Sequence, residues 1–327
     1  MKNSNIKKVF IAGHKGMVGA AITKKLENDP SVEIIVAPKS NLNLLNQSQV
    51  TKFFESNKID EVFIAAAKVG GINANQSFPA DFIYQNLMIQ ANIINSAHIT
   101  DVKKLLFLGS SCIYPANADQ PMKESALLSG PLEKTNQPYA LAKISGLELC
   151  HSFNTQFGKD FRGLMPTNLY GENDNFNLKT SHVIPALISK FHHAITSNQK
   201  QITVWGTGKP KREFLHVDDL AEACIFVMSL DKDKFLGATN HNHCYLNVGS
   251  GEEVSINDVV RALKNIAGFD GEIIYDNSMP DGTKRKLLDS TAIKNLGWKS
   301  TISLEDGLKK TYDWFSIHNS IIREIKE

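Results

Sequence analysis

Short apolar runs alternate with amphipathic segments through the first half of the chain. Five of these runs have the length of buried β-strands: 8–12, 33–37, 61–67, 104–110 and 160–166. Helical spacing of apolar residues fills the segments between them: 16–28, 48–57, roughly 80–99, and a helix that ends near residue 157. Buried strands that alternate with helices form a parallel sheet with helices on both faces. The pattern therefore predicts an α/β fold with a doubly wound parallel sheet of the Rossmann type.

The pattern changes after Asn168, which indicates a second, smaller unit. The segment 171–182 is polar, an apolar helix at 217–230 fits a return to the sheet, and a later helix has Ser255 as its expected N-cap. We therefore expect a nucleotide-binding Rossmann domain and a smaller α/β substrate-binding lobe. The predicted boundaries are 1–169 for the first domain, with a return segment at about 213–240, and 170–212 plus 241–327 for the lobe.

Composition and charge exclude several classes of protein. The 327 residues carry a net charge of +2, from 36 basic and 34 acidic residues, so we expect no nucleic-acid partner. No apolar run reaches the roughly 18 residues of a membrane span, and the first apolar run fits a strand rather than a signal peptide. The four cysteines lack metal-ligand spacing. We therefore expect free thiols, no metal, no membrane partner and a reducing, cytoplasmic compartment.

A glycine pattern follows the first predicted strand. Gly13, Gly16 and Gly19 form GxxGxxG in the stretch GHKGMVG and lead into the first helix. In this position the glycines permit a tight turn, an approach of backbone to a diphosphate, and close packing of helix and strand. The glycines alone are a weak indication, because they also mark ordinary turns. Strand, glycines and helix in this order predict a dinucleotide site, whose further residues are His14, Lys15, Met17 and Val18.

The residues after the second strand choose between NAD and NADP. An acidic side chain there would bind the ribose 2′-hydroxyl of NAD and repel a 2′-phosphate. The chain has APKSN at 37–41, without a carboxylate. Lys39 and Lys15 together suit a 2′-phosphate, although both also fit solvated surface lysines. We therefore expect NADP(H) as the cofactor.

Tyr139 and Lys143 suggest the reaction. They lie four residues apart in QPYALAKISG, so both side chains leave the same face of one helix. An ammonium beside a phenol stabilises the phenolate, and we therefore expect the pKa of Tyr139 below its usual value of about 10. A lone pair of this kind is more often a surface contact. Together with the glycine pattern and Ser110 at the end of the fourth strand, it indicates a hydride-transfer enzyme in which Tyr139 exchanges a proton.

Motifs along most of the chain carry a closer resemblance: AAAKVGGI (65–72), FLGSSCIYP (107–115), QPYALAKISG (137–146), MPTNLYGENDNF (165–176), SHVIPALI (181–188), WGTGKPKREFLHVDD (205–219) and PDGTKRKLLD (280–289). Read together, from about Lys8 to Trp314, they resemble the GDP-L-fucose synthases of the extended short-chain dehydrogenase/reductase family. The resemblance implies an NADPH-dependent conversion of GDP-4-keto-6-deoxy-D-mannose to GDP-L-fucose. The sugar would be epimerised at C3 and C5 and then reduced at C4.

The resemblance also implies roles for five side chains. Cys112 would be the base and His182 the acid of the epimerisation. Tyr139 would protonate the oxygen at C4, Lys143 would tune Tyr139 and orient the nicotinamide ribose, and Ser110 would hydrogen-bond the ketone. From the residues alone, Cys112 also fits an inert apolar residue and His182 a helix cap.

Two further groups of positions match the family's binding residues. Those implied to contact the cofactor are Leu108, Gly109, Ser110, Ser111, Lys143, Pro166, Thr167, Asn168, Leu169 and His182. Those implied to contact the GDP-sugar are Lys190, Trp205, Arg212 and Asp281. Trp205 also fits core packing, and Asp281 a turn. Lys15 and Lys39 depart from the family, where arginine is frequent at these positions.

Other functions remain open on the sequence. The same fold serves nucleotide-sugar 4-epimerases and 4,6-dehydratases, but a dehydratase needs an acidic pair where this chain has Ser111 and Cys112. A non-catalytic NADP-sensing protein would commonly lack the Tyr139 and Lys143 pair, and the balanced charge does not support a structural or nucleic-acid role. The helix at 80–99 and the Tyr139 helix carry apolar residues on more than one face. Equivalent helices of this superfamily form a two-fold interface, so we expect a homodimer.

Overall fold

The computed structural model describes residues 6–178, 180–239, 241, 243–279 and 281–324, with 320–324 as backbone only. Its strands are β1 (Lys7–Ala12), β2 (Val32–Ile35), β3 (Glu61–Ile64), β4 (Lys104–Leu108), β5 (Phe161–Pro166), β6 (Asn168–Tyr170), β7 (Gln201–Trp205), β8 (Lys211–His216), β9 (Tyr245–Val248), β10 (Glu253–Ser255), β11 (Glu272–Asp276) and β12 (Arg285–Lys286). Its α-helices are α1 (Met17–Leu26), α2 (Gln47–Asn57), α3 (Ile72–Ser77), α4 (Pro79–Ile99), α5 (Gln137–Phe157), α6 (Val183–Thr196), α7 (Val217–Ser229), α8 (Lys232–Ala238), α9 (Ile256–Ala267), α10 (Thr291–Asn295) and α11 (Leu304–Glu324).

Six parallel strands form the main sheet, in the order β2-β1-β3-β4-β5-β9. The strand order reverses at β1, which has β2 on one side and β3 on the other. The predicted α/β fold with a doubly wound parallel sheet is therefore confirmed. In such sheets a ligand binds beyond the carboxyl ends of the strands, at the point where the order reverses.

Two apolar cores cover the faces of this sheet. Side chains alternate along β1, so that Phe10 faces one core and Ile11 the other. The first core packs α2, α4 and α5 against the sheet, and the second packs α1, α7, α8 and α10. Gly146 of α5 lies against α4 and β4, where a Cβ would come within 2.5 Å of the Phe107 ring. The two long helices are thereby held close to the end of β4.

A smaller lobe is built on a third core. β8 pairs with β10, β12 and β6 in a second sheet, while β7 pairs with β11. Residues of α6, α9 and α11 fill the core beside these strands, with Phe191, Leu263 and Phe315 among the buried side chains. Ser255 caps α9 in a capping box with Asp258, as predicted. None of the described helices is both long and apolar enough to cross a lipid bilayer.

The division of the chain between the two units differs from the predicted boundaries. β9 is a strand of the main sheet, although the sequence assigned 241–327 to the lobe. Residues 213–216 belong to β8 of the second sheet, and not to the return segment predicted there. Tertiary contacts decide which sheet a short strand joins. The composition of the chain therefore gave no signal for the placement of β9 or of residues 213–216. The ends of the predicted units, 1–5 and 325–327, lie outside the described residues.

Candidate active site

The loop after β1 has the geometry of a close backbone approach. Gly13 has a φ of +88°, and its carbonyl accepts a 2.9 Å hydrogen bond from the N–H of Gly16. A Cβ at Gly19 would lie 2.1 Å from the Gly13 oxygen, and one at Gly13 would lie 2.7 Å from the backbone nitrogen of Ala66. α1 begins at Met17 without a capping side chain or an acidic residue in its first turn. Its first N–H groups therefore suit a diphosphate.

The lysines predicted to select the cofactor follow neighbouring strands. β1 and β2 pair in parallel, so Lys15 and Lys39 both lie beyond carboxyl ends at the same edge of the sheet. Both are exposed, and neither forms an ion pair within the described part of the chain. Burial and the Lys15 ammonium lower the pKa of His14. Met17 and Val18 pack against the second core and fix the start of α1.

Ser110, Tyr139 and Lys143 come together at the carboxyl end of β4. The Ser110 hydroxyl accepts a 3.3 Å hydrogen bond from the N–H of Cys112, and it also hydrogen-bonds the phenol of Tyr139. Tyr139 lies in the first turn of α5, and Lys143 lies one turn later. The half-buried Tyr139 ring meets that of Phe82 edge to face, with centroids 6.2 Å apart. The three residues singled out in the sequence are therefore neighbours.

Lys143 is buried, with 3% of its surface exposed. Its ammonium donates a 2.7 Å hydrogen bond to the carbonyl of Leu108 and lies 4.7 Å from the centre of the Phe107 ring. Burial lowers the pKa of Lys143 to about 7. A lysine in this setting exchanges its proton near neutral pH.

The predicted direction of the Tyr139 pKa is wrong in this structure. Burial raises the pKa of Tyr139, negative charge on Cys112 adds to the increase, and the hydrogen bond with Ser110 opposes it. The Lys143 ammonium lies 5.9 Å from the centre of the phenol ring and is directed at the Leu108 carbonyl instead. Loss of solvation therefore outweighs the attraction between ammonium and phenolate. Tyr139 is a protonated phenol here, which suits a proton donor.

Cys112 lies two residues beyond Ser110, in a short 3-10 turn. It is half-buried, whereas the three other cysteines are buried. Its sulfur accepts a 3.5 Å hydrogen bond from the ammonium of Lys286, and it is close enough to Tyr139 to affect the pKa of that phenol. These polar neighbours do not fit the alternative of an inert apolar residue.

His182 occupies the N-cap position of α6, but its side chain makes no capping hydrogen bond. The residue is open to solvent, yet the surrounding protein and the ammonium of Lys286 lower the pKa of its imidazole. The segment before it is tied to the loop after β3, because the Gly71 N–H donates a 2.9 Å hydrogen bond to the Thr180 carbonyl. Lys286 therefore has both His182 and Cys112 as neighbours.

The predicted cofactor residues at the end of β4 lie against β5. Leu108 pairs with Leu164, and the N–H of Gly109 donates a 2.9 Å hydrogen bond to the Leu164 carbonyl. A Cβ at Gly109 would lie 2.3 Å from the sulfur of Met165. Ser111 is buried beyond the strand. This edge of the sheet consequently presents backbone rather than large side chains.

The predicted cofactor residues beyond β5 are mostly engaged within the protein. Pro166 ends the strand, and Leu169 packs against the second core. The Thr167 hydroxyl and the Asn168 amide both donate to the carbonyl of Glu213, at 3.2 and 2.8 Å. These contacts join the main sheet to the lobe, beside the site.

The four predicted substrate residues lie in one cluster on the lobe. The Lys190 ammonium donates a 2.8 Å hydrogen bond to the Thr203 carbonyl and lies 5.3 Å from the centre of the Trp205 ring. Trp205 is 56% exposed, so it is not a core residue. Burial lowers the pKa of Arg212, and the carboxylate of Asp281 opposes this effect. An exposed indole and two cations thus share one surface.

The Asp281 carboxylate already has partners within the protein. Its oxygens accept hydrogen bonds from the N–H and the hydroxyl of Thr207, at 2.6 and 2.8 Å, and these bonds lower the pKa of Asp281. Gly206 has a φ of +75°, and a Cβ there would lie 2.3 Å from the same carboxylate. Asp281 therefore shapes the turn that follows Trp205.

Three residues that organise the site were missed in the sequence: Gly71, Glu213 and Lys286. Glu213 is fully buried and accepts hydrogen bonds from the N–H groups of Gly251 and Leu288, at 2.7 and 3.1 Å. A carboxylate at the start of the apolar run EFLHV was an available signal for it. Lys286 gave no signal, because a lysine in a polar, basic stretch is normally solvated.

Comparison with known proteins identifies the family. Residues 9–237 match the NAD dependent epimerase/dehydratase family. The chain is 54% identical over 308 residues to a GDP-L-fucose synthase of Escherichia coli (strain K12), an alignment that covers 94% of this chain and 96% of that protein.

Two solved structures from Campylobacter jejuni are also similar to this chain. A GDP-6-OMe-4-keto-L-xylo-heptose reductase has a TM-score of 0.90 and 37% identity, over 97% of this chain and 99% of that one. A GDP-mannoheptose C4 reductase with NADP bound has a TM-score of 0.87 and 38% identity, over 96% and 99%. The chain therefore belongs to the NAD dependent epimerase/dehydratase family and, within it, groups with the GDP-L-fucose synthases.

Proposed function

We propose that this protein converts GDP-4-keto-6-deoxy-D-mannose to GDP-L-fucose with NADPH, by epimerisation at C3 and C5 followed by reduction at C4. The name of the Escherichia coli relative supports the substrate. The observation that carries the proposal is the neighbourhood of Cys112. Its sulfur adjoins the phenol of Tyr139 and shares the ammonium of Lys286 with His182. Groups for proton exchange thus adjoin the groups for reduction.

The nucleotide site fits a dinucleotide with a 2′-phosphate. In the loop from Gly13 to Gly19 the backbone packs too closely to admit side chains at Gly13 and Gly19, and the first N–H groups of α1, which begin there without a capping side chain, suit a diphosphate. Lys15 and Lys39 supply positive charge at that edge of the sheet, where neither is paired with an acidic side chain of the described residues. A similar structure contains NADP, which supports the same cofactor here. When bound, NADPH supplies the hydride that reduces the ketone at C4.

The reduction uses the residues at the end of β4. Ser110 donates a hydrogen bond to the ketone oxygen and so polarises the carbonyl. Tyr139, whose pKa is raised by burial, is a phenol that transfers its proton to the alkoxide formed at C4. Lys143 contacts the Leu108 carbonyl and from the same position would hold the nicotinamide ribose of the bound cofactor.

The epimerisation uses a base and an acid. The Cys112 thiolate takes a proton from carbon next to the ketone, and the C–H electron pair passes into an enolate. His182 returns a proton to the opposite face. Because the surrounding protein and the ammonium of Lys286 lower the pKa of His182, its imidazolium is a stronger acid than a free imidazolium. Cys112 and His182 then exchange protons with solvent and return to their starting forms. In D₂O, deuterium from the solvent therefore enters the product.

The GDP moiety is assigned to the lobe. Trp205 offers an exposed face for stacking, while Lys190 and Arg212 meet the diphosphate. Asp281 holds the Trp205 turn through Thr207, and its remaining lone pairs accept from sugar hydroxyls.

Incubation with GDP-4-keto-6-deoxy-D-mannose and NADPH, followed by NMR of the product, tests the proposal. We expect GDP-L-fucose, with one NADPH consumed per molecule formed. NADPH consumption with the starting configuration retained at C3 and C5 would make the protein a plain C4 reductase. Turnover without consumption of NADPH would instead favour a 4-epimerase or a dehydratase.

We also propose a homodimer in a reducing, cytoplasmic compartment. The outer faces of α4 and α5 support the assembly, since Tyr84 and Leu141 are exposed by 59% and 39%. The four unpaired thiols support the compartment. Sedimentation at micromolar concentration should give a dimer, and Tyr84→Glu a monomer. Ile317→Glu, at an apolar position exposed on α11, is the control.

A further inference from the structure

Lys286 lies where the two halves of the site meet. It is the second residue of β12, and in the register of the second sheet it stands opposite Arg212 of β8. Its ammonium reaches the other way and donates a 3.5 Å hydrogen bond to the sulfur of Cys112. The same ammonium acts on the imidazole of His182. One cation thus adjoins both groups assigned to the epimerisation.

We infer that Lys286 is a positioning residue for the epimerisation, in which its ammonium holds the Cys112 sulfur as a thiolate directed at the sugar. This inference rests on the proposed function. A thiolate, and not a thiol, is the reactive base, and a neighbouring lysine is one of the groups that favours the thiolate form. The structure supplies that neighbour within hydrogen-bond distance of the sulfur.

No acidic side chain of the described residues competes with Cys112 for the ammonium of Lys286. Adjacent Arg285 forms an ion pair of 2.5 Å with Glu253, and Lys211 of the paired strand also lies within 3.4 Å of that carboxylate. Lys286 has no carboxylate within 4 Å among the residues that the structure describes. Because no carboxylate neutralises the Lys286 ammonium, its full positive charge acts on the Cys112 sulfur.

Backbone hydrogen bonds fix the chain next to Lys286. The N–H of Leu287 donates a 2.8 Å hydrogen bond to Gln120, and the N–H of Leu288 donates one of 3.1 Å to buried Glu213. The Leu287 carbonyl accepts a 2.9 Å hydrogen bond from the N–H of Met122. These bonds fix the backbone that follows Lys286, and the pairing of Arg285 and Lys286 with β8 fixes the backbone before it. The fixed backbone limits where the ammonium can lie, as a positioning role requires.

Lys286 takes no part in the proton transfer itself. The thiolate accepts the proton from the sugar carbon and becomes a thiol, while the electron pair moves to the ketone oxygen. The titratable groups that face Cys112 are Lys286 from β12, Tyr139 from α5 and His182 at the start of α6. Of these three, Lys286 is the residue whose ammonium donates a hydrogen bond to the sulfur.

Alkylation of the native protein tests the inference without any substrate. Cys112 is half-buried and the other three cysteines are buried, so iodoacetamide reports on Cys112, and Cys112→Ser verifies the assignment. In Lys286→Met the pH at which alkylation begins should rise, with a rate at pH 7 lower by roughly tenfold or more. Lys286→Arg should keep the wild-type profile. Lys284→Met, at an exposed lysine two residues away, is the matched control. An unchanged profile in Lys286→Met would overturn the inference.

Deuterium exchange at C3 and C5 of the keto-sugar in D₂O then tests the role in catalysis. We expect Lys286→Met to lose roughly 10- to 100-fold in exchange rate, with Lys286→Arg retaining most of it. A shifted alkylation profile with normal exchange would overturn the catalytic role. Absence of exchange in the wild type would overturn the proposed function instead, while alkylation still decides whether Lys286 acts on the thiol. NADP binding by each variant verifies that it is folded.

Discussion

The ammonium of Lys143 donates a 2.7 Å hydrogen bond to the carbonyl of Leu108, at the carboxyl end of β4. This bond joins α5 to the central sheet at the place where the nicotinamide is proposed to bind. It also explains why the phenol of Tyr139 is not strongly affected by its lysine neighbour, since the ammonium is directed elsewhere. Lys143 and Tyr139 thus make separate contacts with the end of β4: Lys143 bonds to Leu108, and Tyr139 bonds to Ser110.

Burial of Lys143 predicts a specific dependence of stability on pH. Its pKa is about 7 in the folded protein, against about 10.4 in an unfolded chain, so the unfolded state binds more protons between these values. The contribution of Lys143 to the free energy of unfolding therefore increases as the pH rises through this range, which makes the folded protein more stable. Relative to Lys143→Met, the wild type should become more stable by about 2 kcal/mol between pH 7 and pH 9.

Urea denaturation of both proteins at the two pH values measures this difference. The substitution also removes the bond to Leu108, but that loss contributes equally at both pH values and cancels. A difference that stays constant, or falls as the pH rises, would show that Lys143 keeps an ordinary pKa in the folded state.

The glycine loop predicts a steric effect at Gly19. A Cβ there would lie 2.1 Å from the Gly13 oxygen, so Gly19→Ala must push α1 away from the loop. We expect the free energy of unfolding to fall by roughly 1–3 kcal/mol and the affinity for NADPH to fall at least tenfold. Gly237→Ala, in α8, is the control, because nothing lies within 4 Å of its Cβ. Equal stability and cofactor affinity in both variants would contradict the packing argument.

Much of the fold was predictable because it depends on local pattern. The strands and helices of the first half were placed within a few residues of β1 to β5 and α1, α2, α4 and α5, since buried strands and amphipathic helices leave periodic signals. The second half was less predictable. β9 spans four residues and joins the main sheet after a long excursion through the lobe, and no local pattern encodes that choice.

The site was predictable only where a residue type has an uncommon function. Tyr139, Lys143 and the glycines follow from spacing, but Cys112 and His182 came from family resemblance alone. Lys286 reaches Cys112 from a position 174 residues later in the chain, a contact that exists only after folding. The error in the Tyr139 pKa has the same origin, because burial is a property of the tertiary structure.

Lys39 predicts the preference for NADPH. It is exposed, lacks an ion pair among the described residues and follows β2 beside the glycine loop. In Lys39→Met we expect the KM for NADPH to rise roughly 3- to 10-fold, because a charged contact to the 2′-phosphate is lost. The KM for NADH should not change. Lys52→Met, at an exposed lysine of α2, is the control, and an equal rise for NADPH there would rule out a specific role for Lys39.

We expect the contacts of Gly71 to hold His182 in position. The Gly71 N–H binds the Thr180 carbonyl at 2.9 Å, and a Cβ would lie 2.8 Å from the Ser181 oxygen. Gly71→Ala should displace the segment before α6 and slow deuterium exchange at C3 and C5 roughly tenfold, with NADPH affinity nearly unchanged. Gln76→Ala, on an exposed position of α3, should leave exchange intact. Normal exchange in Gly71→Ala would mean that His182 is positioned by other contacts.

Tyr139 and Cys112 predict that the two halves of the reaction can be separated. Tyr139→Phe removes the proton donor for C4 but leaves the sulfur and its Lys286 neighbour in place. NADPH oxidation should therefore fall by roughly 100- to 10,000-fold, while deuterium exchange at C3 and C5 persists. Cys112→Ser should do the reverse, abolishing exchange while hydride transfer to the unepimerised ketone continues slowly. Proton NMR in D₂O and NADPH absorbance measure the two steps on one sample. If both activities fall in parallel in each variant, the phenol and the sulfur serve a single step, and the division of roles across this site is incorrect.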